Sequence, residues 1–274
     1  MMGMNFMEFL PLMLSLMATG VLGGLLAGLL GVGGGIVIVP VLYFVFQTLG
    51  MDSVGAMSLA TGTSLATIVP TSISSIRSHH AKGNVDWDLI KNWWPWLLVG
   101  VVLGGLLISV YKSSIFILLF AIIAGFVSVR MLLETKPNTI DLPVKWIQKS
   151  VASVIGFLSV MIGIGGGTLG VPVLSKFSFV THRAVGTAAA FGLIIALPGA
   201  LMMLILGVSP EGSPVGTYGA ISLPSLLAII PLTVLFAPVG VSLAQRLNPA
   251  TLKKVFAAVL LVTSIRMFTQ GLGV

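Results

Sequence analysis

The chain has 274 residues, 57% of them hydrophobic and 8% charged; soluble domains carry about 25% charged residues, so this chain cannot cover a soluble surface. Long apolar runs point to a helical integral membrane protein rather than a barrel. The net charge of +7 is spread over the stretches between those runs, as orienting charge is, and not gathered as a nucleic-acid surface. The absence of cysteine excludes disulfides, thiol chemistry and cysteine-ligated metals.

Apolar runs fall at 9–30, 36–49, 55–76, 89–110, 114–133, 149–162, 168–180, 184–206, 218–244 and 250–270. No Lys or Arg precedes the first run, which argues against a cleaved leader. Most runs have the roughly 20 residues a bilayer crossing needs. Runs two and seven are among the shorter ones, and each directly follows a glycine cluster: "GVGGGIVIVPVL" at 31–42 and "GIGGGTLGVPVL" at 163–174. Glycine weakens a helix interior more than any residue except proline. Short or interrupted segments at matching places in two halves point to a transporter's binding site.

The duplication extends beyond the glycines. Gly62-Thr63 recurs as Gly186-Thr187, Gly104 as Gly240, Phe120-Ala121 as Phe256-Ala257, and "SVRM" at 128–131 as "SIRM" at 264–267. The chain therefore reads as a first repeat over 1–133, a charged connecting loop over 134–148 and a second repeat over 149–274. Five segments per copy is an odd number, which makes the repeats inverted. Loop charge fits. Arg77 and Lys82 follow segment three, Lys176 and Arg183 surround the end of segment seven, and Arg246, Lys253 and Lys254 follow segment nine. Asp52 follows segment two and Glu211 follows segment eight, without bases. With basic loops inside, both termini lie outside the cytoplasm, and Lys112 is the one base on the wrong side. The short segments either span or form halves of re-entrant hairpins; the inversion holds in both cases.

Two readings of the glycine clusters compete. Small residues let membrane helices pack closely. Alternatively, a helix restarting at mid-membrane presents free amides and a positive dipole end, an anion site without a charged side chain. Consecutive glycines, and a proline at the same distance in each copy, favour the second. The candidate substrate-binding residues are Gly33, Gly34, Gly35 and Ile36 in the first copy and Gly165, Gly166, Gly167 and Thr168 in the second. Thr63, Ser64 and Thr187 are expected to add hydroxyl donors, although the hydroxyl-rich stretch at 60–75 could equally bond back to its own helix. Pro40, Pro70, Pro172 and Pro198 are expected to break their helices. Every carboxylate falls in a loop or at a segment end, so no acidic proton relay crosses the core. His79, His80 and His182 read as loop or interface residues in contact with water. No nucleophile with a base, metal-ligand cluster or cofactor loop is present, so no enzyme, metal or cofactor is expected.

The stretches "GLLAGLLGVGGGIVIVPVL", "ATGTSLATIVPTS", "RSHHAKGNVDW", "IGIGGGTLGVPVL" and "HRAVGTAAA" resemble the sulfite exporter TauE/SafE family of membrane permeases. The resemblance covers nearly the whole chain and implies movement of sulfite, organosulfonates and related anions, often outward. The second copy reads Gly186-Thr187-Ala188 where the family's pattern carries a serine after the threonine. The expectation is thus a multi-pass secondary transporter of small sulfur-containing anions in the cytoplasmic membrane. Its partners are a small anion and the lipid bilayer, not nucleic acid, and homo-oligomerisation is left open. A passive anion channel and a non-transporting accessory subunit are the alternatives.

Overall fold

A computed structural model describes residues 6–31, 33–111, 113–133, 141–246 and 249–273. Among them are ten helices: α1 (Phe6–Leu30), α2 (Gly35–Thr48), α3 (Ser53–His80), α4 (Trp87–Val110), α5 (Ile115–Leu133), α6 (Lys145–Met161), α7 (Gly167–Lys176), α8 (Thr181–Ile205), α9 (Leu223–Arg246) and α10 (Pro249–Gly271). Each corresponds to one apolar run. Five are long and apolar enough to cross a membrane: Met13–Leu30 within α1, all of α4, α5 and α8, and Leu223–Ala244 within α9. Helix α3 has 28 residues, about 42 Å of rise; its hydroxyls lower its hydropathy. The protein is a multi-pass helical membrane protein.

Three departures from the sequence reading have local causes. Run nine begins with a two-residue hairpin, β1 (Thr217–Tyr218) and β2 (Ile221–Ser222), because Gly219 turns the chain with φ 55° before α9 starts. Helix α7 ends at Lys176, and Ser178 lies at φ 62° just beyond it. Helix α6 begins at Lys145, inside the stretch expected as connection; residues 134–140 and Lys112 lie outside the described residues.

The helices pair in a two-fold pattern. Helix α1 packs along α9 as α6 packs along α4, while α3 packs on α8 and α5 on α10. Small residues allow both close pairings. Gly28 sits against the Ala237 carbonyl, and Gly156 against the Leu97 carbonyl, with no space for a Cβ. At one end of the bundle the α2–α3 connection meets the α8–α9 connection: a Cβ on Gly55 would lie 2.9 Å from Pro210. That end carries Asp52 and Glu211. At the opposite end Lys82 Nζ donates to the Val241 carbonyl at 3.0 Å and Arg183 pairs with Asp86 at 2.8 Å.

Candidate functional site

Both helix interruptions fall at the glycines. Helix α1 stops at Leu30 and α2 restarts at Gly35; α6 stops at Met161 and α7 restarts at Gly167. The prolines expected to break helices do not: α2, α3, α7 and α8 run through Pro40, Pro70, Pro172 and Pro198. A proline removes one backbone hydrogen bond, which a well-packed membrane helix tolerates. Glycine does what proline does not here. Gly31, Gly33 and Gly34 all take positive φ, between 66° and 79°, closed to most residues. In the second turn only Gly163 does, at φ 70°.

The two turns meet at mid-height in the bundle. A Cβ on Gly33 would lie 3.5 Å from the Gly165 Cα, and one on Gly35 would lie 2.8 Å from the Gly163 carbonyl oxygen. Ile68, near the middle of α3, fills the space beside Gly33 and Gly35. Gly166 presses on Phe191 and Ile195 of α8. The N-caps of α2 and α7, Gly34 and Gly166, supply no side-chain cap. No backbone carbonyl takes the amides of Gly165, Gly166 or Gly167 among the described residues, and Thr168 N–H reaches the Gly165 carbonyl only at 3.4 Å. Both turns are buried, and Ile36 and Thr168 are each 1% exposed.

The three hydroxyls expected to join the glycines divide. Ser64 Oγ donates to the Gly163 carbonyl at 2.8 Å and belongs to the junction. Thr63 Oγ1 accepts from the Ser222 amide at 2.9 Å, just before α9. Thr187 Oγ1 accepts from the Asp86 amide at 3.0 Å, just before α4. These two are equivalent in the two-fold pattern, and each holds the start of a long helix. The glycine before each supports this role: Gly62 lies against the Ala220 carbonyl and Gly186 against that of Asn84.

Other hydroxyls of α3 form a seam. Thr67 and Thr71 donate to the carbonyls one turn back at 2.8 and 2.9 Å. Thr71 and Thr233 hydroxyls meet at 2.7 Å, Ser74 donates to the Val234 carbonyl at 3.0 Å, and Ser75 to that of Ala27 at 3.3 Å. Thr71, Ser74 and Ser75 thereby tie α3 to α9 and α1. His79 belongs to the same seam. Expected in contact with water, it is 2% exposed, and its Nε2 donates to the Gly28 carbonyl at 3.1 Å. A lone sequence gives no sign of this, because Gly28 lies 51 residues away.

An open cavity of about 690 Å³ lies at the Asp52–Glu211 end. Leu16, Phe46, Thr48, Ser213, Ser222 and Ser225 are among its walls. Through Ser222 it reaches the residue that Thr63 holds. No group of metal-ligating side chains occurs among the described residues.

The family model "Sulfite exporter TauE/SafE" matches residues 16–267. A "Probable membrane transporter protein" of Haemophilus influenzae is 34% identical over 92% of this chain and 96% of its own length. A similarly named protein of Methanocaldococcus jannaschii is 28% identical, over 95% and 97%. The Bacillus subtilis "Probable membrane transporter protein YunE" is 24% identical over 94% and 97%. No solved structure matches the chain. With ten helices that follow the ten apolar runs, glycine turns that meet inside the bundle and a match spanning both halves, the chain is a membrane transporter and belongs to the sulfite exporter TauE/SafE family.

Proposed function

We propose that the protein is a secondary carrier that exports small sulfur-containing anions, such as sulfite or organosulfonates, across the cytoplasmic membrane. The repeats 1–133 and 149–274 are inverted, with both termini outside and the Arg77–Lys82 end in the cytoplasm. The anion sits where the two glycine turns meet, among the amides of Gly33 to Ile36 and Gly165 to Thr168.

One observation carries the reading: two helices restart at mid-height, uncapped, with their glycine turns in contact. Uncapped helix starts offer amides and positive dipole ends to an anion in low dielectric. They hold it without a buried Lys or Arg that would bind too tightly to release. The cavity at the Asp52–Glu211 end supplies access from outside, and the family name supplies the sulfur chemistry.

Proteoliposomes loaded with unlabelled sulfite test this. A carrier accumulates labelled sulfite by saturable counterflow. Linear, non-saturating flux identifies a channel, and no flux of sulfite, taurine or sulfoacetate overturns the transport of sulfur anions.

A further inference from the structure

The two-fold pattern makes the two glycine turns comparable position by position. Gly31 rests on Val185 of α8, and Gly163 rests on Thr61 of α3, where a Cβ would lie 2.7 Å from the Thr61 Cα. Thr61 and Val185 precede Gly62 and Gly186, so packing and sequence agree on the equivalence.

The surroundings of the turns are nevertheless unlike. Thr61 packs on Gly163. Ser159 takes the Ile164 amide on its carbonyl at 3.1 Å, and the Thr168 amide reaches the Gly165 carbonyl. Ser64 donates to Gly163 itself. Four hydroxyl residues therefore bracket the second turn. The equivalents around the first turn are Val185, Ala27, Ile36 and Ala188 for Thr61, Ser159, Thr168 and Ser64, and none has a polar side chain.

Three of the four hydroxyls, on Thr61, Ser159 and Thr168, have no hydrogen-bond partner among the described residues. Those residues are 0%, 0% and 1% exposed. A buried hydroxyl without a partner is unfavourable, and most such groups in folded proteins are satisfied. The three residues all lie against one turn, beside the uncapped start of α7, and each carries a buried donor without an acceptor among the described residues. The positive end of α7 selects an anion over a cation.

We infer that the side-chain donors to the substrate are one-sided, the hydroxyls of Thr61, Ser159 and Thr168 around the second glycine turn, and that the first turn contributes backbone amides alone. This rests on the anion-transport reading and assigns its donors. A small oxyanion, with several acceptor oxygens around one centre, matches three O–H donors beside backbone amides that no carbonyl takes among the described residues. Ser64 keeps Gly163 in place instead of touching substrate, since its proton is committed to the Gly163 carbonyl.

The test uses the full chain, purified and reconstituted, with sulfite as probe. Thr61→Val, Ser159→Ala and Thr168→Val remove one hydroxyl each. Val185→Ala is the mirror control. Each second-turn variant is expected to weaken sulfite binding about 10-fold, the loss of a hydrogen bond to a charged group, while Val185→Ala binds as the wild type does. The unfolding temperature without ligand should stay level or rise in the second-turn variants, because each deletes a hydroxyl that lacks a partner. A purely structural role would lower it. Wild-type affinity in all three variants, or a lowered unfolding temperature without ligand, overturns this inference and leaves the transport reading intact. Protection by sodium ions alone, lost in the same variants, reassigns the hydroxyls to a cation and also overturns it. A wild-type protein that binds no sulfite, taurine or sulfoacetate removes the transport reading and this inference together.

Discussion

Ser64 on α3 donates its hydroxyl proton to the carbonyl of Gly163, 2.8 Å away and 99 residues on in the chain. Both residues are buried. The bond joins the polar stretch of the first half to the glycine turn of the second. Ser64→Ala leaves the Gly163 carbonyl buried without that donor, which costs about 1–3 kcal/mol. A lowered unfolding temperature of the ligand-free protein is the expected outcome, opposite in sign to that for Thr61→Val.

Thr63→Val and Thr187→Val should each leave one backbone amide unpaired, Ser222 in one case and Asp86 in the other. The expected loss of stability is again about 1–3 kcal/mol for each. Because the two threonines occupy equivalent places, the losses should be similar. Thermal unfolding of the purified variants measures this, and a fall in sulfite affinity without loss of stability would show contact with substrate instead.

Gly62→Ala and Gly186→Ala should both sharply reduce the yield of folded protein, since the new Cβ meets a backbone carbonyl that cannot move aside. Gly105→Ala is the contrast. Its Cβ meets the Met202 sulfur at 2.7 Å and its terminal methyl at 2.8 Å, the flexible end of a side chain. Near wild-type yield is expected there. Size-exclusion chromatography of detergent extracts separates the two outcomes. For the same reason Gly34→Leu and Gly166→Leu are poor probes of function: their Cβ atoms would meet the Gly23 carbonyl oxygen at 2.7 Å and the Phe191 Cβ at 2.6 Å.

The chain has no cysteine, so single introduced thiols report topology cleanly. Glu211→Cys and Lys176→Cys lie at exposed positions. An impermeant maleimide added to intact cells should label the first, and should label the second only after permeabilisation. Labelling with the opposite pattern refutes termini on the outer face.

The sequence alone determined the segments. All ten apolar runs became helices, and the interruptions fell at residues 31–34 and 162–166, because apolar length and glycine act locally on the backbone. The text repeat, with Gly62-Thr63 matching Gly186-Thr187, also stood in the sequence and reappears as equivalent contacts to Ala220 and Asn84.

Partners were a matter for the tertiary structure. That Thr63 and Thr187 hold the starts of α9 and α4, that His79 is buried against Gly28, and that Thr71, Ser74 and Ser75 form a seam all depend on helices brought together from distant parts of the chain. The sequence could say that α3 is polar; it could not say which hydroxyls would find acceptors. The same holds for the prolines: sequence marks where a backbone bond is lost, but whether the helix continues depends on its neighbours. A hydroxyl's role depends on what stands within about 3 Å of it, and at the glycine junction those neighbours come from the other half of the chain: Ser64 meets Gly163, and Thr61 packs beside the same glycine, its hydroxyl unpaired among the described residues.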